Sequence, residues 1–187
     1  MTISLRALSI ATVLSFSGLA GSAFAADNPM VGGAAMYADK NIVENAVNSA
    51  DHTTLVAAVQ AAGLVDTLSG EGPFTVLAPV NAAFDALPEG TVETLLKPEN
   101  KDMLTKILTC HVIPAKALST DIVSMVEADG GEHEVETVGG CVLTLKADGG
   151  KVTVTDENGT VANVTIADVM QSNGVIHVID AVLTPKM

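Results

Sequence analysis

The stretch GPFTVLAPVNAAFDALP, residues 72–88, decides how this chain is read. Phe74 to Ala78 is a short apolar run of strand length, and Pro79 ends it. Asn81 then reads as an N-cap for a helix over Ala82 to Leu87, which Pro88 stops. Some hundred residues later SNGVIHVIDAVLTP (172–185) carries a second apolar run, and ILTCHVIP (107–114) lies between them.

Upstream, Ile42, Val43, Ala46 and Val47 fall on one helical face. Asp51 is placed to cap a helix with Leu55, Val56, Val59 and Ala62 inward, closed by Gly63; His52 in its first turn is expected to be solvated or capping. Downstream of Pro88, Val92, Leu95 and Leu96 mark a further helix. Pro98 suits the first turn of another, with Met103, Leu104, Ile107 and Leu108 buried. Ser119 to Val126 is again helical. The pattern then changes to alternation over Glu134 to Val138, Val142 to Lys146, Val152 to Thr155, Ala162 to Val169 and Val175 to Leu183. DGGK (148–151) and DENGT (156–160) supply hairpin turns. Helices first and strands second predict an α+β domain over 40–187, with no internal repeat. Residues 26–39 lack periodicity and read as an N-terminal extension or docking strap.

The first 25 residues have the order of a cleaved signal peptide: Arg6, an apolar run from Leu8 to Phe16, then Ala23-Phe24-Ala25. Cleavage is expected after Ala25, leaving a soluble exported chain in the periplasm, at the cell surface or released. Arg6 is one of only 9 basic residues against 22 acidic. The acidic surface left behind repels phosphate backbones and anionic lipid, so nucleic-acid binding and direct membrane insertion are disfavoured. Export makes a disulfide between Cys110 and Cys141 plausible. Two free thiols, or a zinc site with His111 and His133, are the alternatives, although the spacing fits no compact zinc pattern.

Catalytic signatures are missing. There is no nucleophile elbow, zincin helix, P-loop or complete dinucleotide fingerprint. Ser172, His177 and Asp180 are close in sequence, but positions 177 and 180 on one strand face opposite sides. DENG (156–159) begins like a calcium loop without its terminal Glu, and is read as a turn. Met30 and Met36 are read as apolar contacts rather than copper ligands. Asn158 and Asn163 head formal glycosylation sequons that nothing else supports.

Taken in order, the three stretches resemble the two signature motifs and the central His motif of the fasciclin (FAS1) domain, over about residues 52–185. In the first motif Gly72, Pro73, Phe74, Thr75 and Val76 enter the strand, Pro79 turns it, and Asn81 to Phe84 opens the helix. In the second, Asn173, Gly174 and His177 lead to Leu183 and Pro185. The resemblance implies a wedge-shaped β-sandwich with packed helices. It also implies an adhesion or interaction role without catalysis, cofactor or metal, and a cell-surface or matrix protein or glycan as partner. Two partner-binding regions follow from it. One is the Tyr-His motif, which maps to His111, Val112 and Ile113 with Cys110 in place of Tyr. The other is an Asp-Ile pair, which maps to Asp168 and Val169, followed by Met170. The residues themselves also admit a structural role: His111 and His177 satisfying buried carbonyls, Val169 in the core and Asp168 capping a turn. A periplasmic carrier of a small ligand or metal is the alternative function. A lone domain bridges two surfaces only as a homodimer or when held by another protein.

Overall fold

The computed structural model describes residues 28–186; the expected leader and its cleavage point lie outside them. The chain forms one mixed α/β domain. A small hairpin, β1 (Met30–Val31) and β2 (Ala34–Ala35), precedes the helices α1 (Ile42–Ala46), α2 (Thr53–Ala62) and α3 (Val65–Ser69). Then come β3 (Phe74–Pro79), α4 (Asn81–Asp85), α5 (Thr91–Leu95), α6 (Lys101–Thr109), β4 (Val112–Ile113) and α7 (Ser119–Ala128). The remaining strands are β5 (His133–Glu136), β6 (Val142–Asp148), β7 (Lys151–Thr155), β8 (Val161–Gln171) and β9 (Gly174–Ile179).

Seven strands make one curved sheet in the order β4-β3-β9-β8-β7-β6-β5. Its ends approach each other: Val138 N–H donates to the Val112 carbonyl (2.8 Å) and Gly139 N–H to that of Thr109 (3.0 Å). The Cys110–Cys141 disulfide, with Cα atoms 5.4 Å apart, fastens β4 to the β5–β6 turn at that seam. The two signature stretches lie side by side, second and third from the β4 edge, because β3 and β9 pair in parallel from Phe74↔Gly174 to Pro79↔Ile179. Both are buried on two faces, which explains their unbroken apolar runs. Val76, Ala78, Ile176 and Val178 pack against the helices. Leu77 and Ile179 face a second core inside the sheet's curve, with Ile122 and Val126 of α7 and Leu143, Leu145, Val152 and Val154. The parallel pair needs backbone contact: a Cβ on Gly174 would lie 2.1 Å from the Phe74 carbonyl oxygen.

Four local expectations are corrected. Val47 is exposed, because α1 ends at Ala46 and the chain turns. Asp51 does not cap α2; a 3-10 turn over Ala50–His52 intervenes, and His52 is buried rather than solvated. Asn81 does not cap its own helix. Its Oδ1 accepts from Thr54 N–H (3.1 Å), and its Nδ2 donates to the Ala50 carbonyl (2.8 Å), so it ties down the start of α2 instead. Met103 is half exposed on the outer side of α6.

Candidate functional site

Thr75 in β3 and His177 in β9 converge on the loop of residues 114–118, which links β4 to α7, and Asp168 in β8 holds Ser119 where α7 begins. Thr75 Oγ1 donates to the Ala115 carbonyl (2.6 Å) and accepts from Ala117 N–H (2.9 Å). His177 Nε2 lies 2.8 Å from the Ala117 carbonyl, while its Nδ1 is 3.3 Å from Asp168 N–H. Nδ1 must therefore accept and Nε2 must carry the proton, which fixes a neutral tautomer. Burial pushes the His177 pKa down, opposed by the Ala117 hydrogen bond and the Asp168 carboxylate. Asp168 accepts from Ser119 N–H (2.7 Å) and from the Ser119 hydroxyl, and so holds the first turn of α7. It does this from a left-handed backbone (φ 58°) inside an irregular stretch of β8.

His111, Val112 and Ile113 are all buried. His111 Nδ1 lies 2.8 Å from the Ile107 carbonyl and Nε2 accepts from Leu183 N–H (2.9 Å), so this ring is also a neutral, fully satisfied core group. Burial lowers its pKa to about 4 against the raising effects of the Ile107 hydrogen bond and Asp156. Val169 is wholly buried, whereas Asp168 and Met170 are half-buried. What reaches solvent beside them is Pro114, Ala115 and Lys116. Next to Lys116 lies an open polar depression of about 540 Å³, lined by Asn41, Glu71, Pro73, Gln171 and Asn173 among others. Asn173 shapes its floor: Oδ1 accepts from Ile42 N–H (3.0 Å), and Nδ2 donates to the carbonyls of Leu68 (2.8 Å) and Gly70 (3.0 Å).

The other candidates separate. Ser172 and Asp180 are exposed and His177 is buried; Asp180 is bonded to Asn163, so no relay forms. The disulfide takes both sulfurs from any zinc site. Met36 is buried and Met30 exposed, so they do not converge. Asp156 anchors a turn, with Oδ1 accepting from Asn158 N–H (2.9 Å) and Thr160 N–H (2.8 Å) and Oδ2 from Thr184 N–H (2.8 Å). The Asn158 amide is occupied by Thr184 and Pro185. Ser119, Lys116, Asn45 and Gln171 belong to this architecture but to none of the sequence motifs. Asn45 and Gln171 bond each other in the core from positions with no shared local pattern. Only their polar character inside apolar-facing segments marked them.

A family model described as the fasciclin domain matches residues 50–185. A Synechocystis protein, sll1483, is 53% identical over 144 residues, covering 77% of this chain and 73% of that protein. Transforming growth factor-beta-induced protein ig-h3 of Sus scrofa is 40% identical over 131 residues, 70% of this chain but 17% of its own length. Among solved structures, a FAS1 domain pair from the insect cell adhesion molecule fasciclin I superposes with a TM-score of 0.68 at 17% identity. It covers 79% of this chain and 51% of that one, a likeness of fold.

Proposed function

This chain belongs to the fasciclin-domain family, a family of non-catalytic adhesion and interaction modules, and from that premise we propose that it is an exported adhesion module. It binds a cell-surface or extracellular protein or glycan after removal of residues 1–25. The observation that carries the reading is the exposed loop Pro114–Lys116, held rigid from beneath by Thr75, His177 and Asp168. Rigid presentation lowers the ordering cost of binding. His111, Val112, Ile113 and Val169 act from below, by shaping that surface, while Lys116, Asp168 and Met170 meet the partner. The polar depression beside Lys116 supplies adaptable hydrogen bonding. A single domain joins two surfaces only as a homodimer or on a second anchor.

The test is capture of envelope and surface fractions on immobilised residues 26–187, run beside Lys116→Glu and Met170→Ser. Both positions lie outside the core, so the variants should keep the wild-type circular dichroism. Saturable capture weakened at least tenfold by either variant supports the reading. Undiminished capture by both moves the site elsewhere, and no saturable capture by the wild type sinks it.

A further inference from the structure

His52 is 97% removed from solvent, and its Nε2 is the one buried side-chain nitrogen or oxygen among the described residues without a hydrogen-bond partner. Such a group is costly in the fold unless something bonds it. It lines a cavity of about 80 Å³ between the helices and the sheet. The walls are otherwise almost wholly apolar, including Met36, Leu55, Val59, Val76 and Ile176. The N-terminal hairpin closes one side through Val31 and Met36. On the outer side Val43, Val56 and Gln60 are partly or fully exposed and form a mouth between α1 and α2.

The tautomer follows from the neighbours. Ser49 Oγ lies 2.8 Å from His52 Nδ1, and among the described residues no other hydrogen bond holds the Ser49 side chain. Its hydroxyl proton therefore points to Nδ1, and Nε2 carries the ring proton. The Ala78 carbonyl is near enough to influence the ring but does not meet hydrogen-bond geometry with Nε2. The cavity thus offers one N–H donor in an apolar wall. It lacks a counter-charge, so an ionised guest is disfavoured. Its volume is several times the roughly 10–15 Å³ a single water needs, and about half of the roughly 150 Å³ that accepts benzene.

We infer that this cavity is a binding site for a short neutral carbonyl compound of about five non-hydrogen atoms, its oxygen accepting from His52 Nε2–H and its alkyl part lying against Val59 and Ile176. The site is separate from the Lys116 surface, so its failure leaves the adhesion reading untouched.

Titration of isotopically labelled residues 26–187 with 2-butanone, followed by NMR of the His52 ring nitrogens and the Val31, Val59 and Ile176 methyls, tests it. The matched control is 2-methyl-1-butene, which has the same shape without the oxygen. The expected result is saturable shifts with millimolar affinity for the ketone, at least tenfold weaker for the alkene. His52→Leu should remove that preference while keeping the cavity. Ala46→Leu, which adds bulk to the wall, should abolish both titrations in a protein with an otherwise native spectrum. Equal binding of ketone and alkene, shifts that do not saturate, or a long-lived water on Nε2 that the ketone fails to displace would each overturn the inference.

Discussion

His111 is neutral because ionising it would place a charge in the core with both ring nitrogens already committed, one donating and one accepting. Its pKa falls to about 4 on folding, chiefly through burial. The unfolded chain therefore takes up the proton first, near pH 6.5. Between there and pH 4 the unfolded state holds more protons than the folded one, so stability drops as pH falls. His177 and His52 are shifted in the same direction by burial. Urea unfolding at pH 7 and at pH 4.5 should show a marked loss of stability, of which His111 alone contributes roughly 3 kcal/mol at the acid limit. His111→Gln should be less stable at pH 7 but visibly less pH-sensitive. A slope equal to wild type would mean that the ring is not held neutral. The structural role of His111 and His177 was legible from their apolar flanks. That of His52 was not, because its cover comes from the hairpin and the sheet rather than from its own helix.

At the scale of elements, the sheet has edges that must be managed, and the chain joins them by two backbone hydrogen bonds and one disulfide. A cross-link spanning 31 residues contributes about 3–4 kcal/mol in the chain-entropy picture. Cys110→Ala/Cys141→Ala should lower unfolding stability by about that amount and increase amide exchange first at Val138 and Gly139. Loss spread evenly over the sheet would argue against a seam. The β3–β9 pair makes the opposite demand, close backbone approach rather than covalent help. Gly174→Ala drives a methyl into the Phe74 carbonyl and should cost more than about 3 kcal/mol, read as loss of soluble expression or a collapsed urea midpoint. Strands were legible because alternation and the turn sequences at 148–151 and 156–160 agree, and the observed hairpin pairs Asp148 with Lys151. Helix caps were less so. Asn81 satisfies the amide of Thr54, 27 residues away, and a rule that looks three residues ahead cannot find that partner. Nor does any local pattern show that residues 111–113 and 168–170 are joined through the loop at 114–118 and the start of α7.

The helix layer is closed by a segment that precedes the family-matched region, which begins at residue 50. Val31 and Met36 are buried, the Gly32 carbonyl accepts from Ala50 N–H (3.1 Å), and Met36 N–H donates to the Pro29 carbonyl (3.0 Å). The hairpin thus seals the helix layer at Ser49–His52, the corner that Asn81 secures from the other side. Burial of these two side chains, about 3–6 kcal/mol, has to offset the ordering of the strap's backbone at about 1–2 kcal/mol per residue, so its docking leaves little margin. Gly32 is where it tips. The backbone has φ +58° there, and an added Cβ would lie 2.3 Å from Ser49 Oγ and 2.6 Å from Asp51 N. Gly32→Ala should therefore undock the strap without unfolding the domain. Hydrogen exchange should show protection lost at Ala50 and Met36, with β3 and β9 amides unchanged, and the urea midpoint should fall only modestly. Deletion of residues 26–36 should reproduce that exchange pattern at Ala50. If Gly32→Ala instead lowers protection across β3 and β9 together, the strap is not a separable cover but part of the cooperative core, because its release then takes the sheet with it.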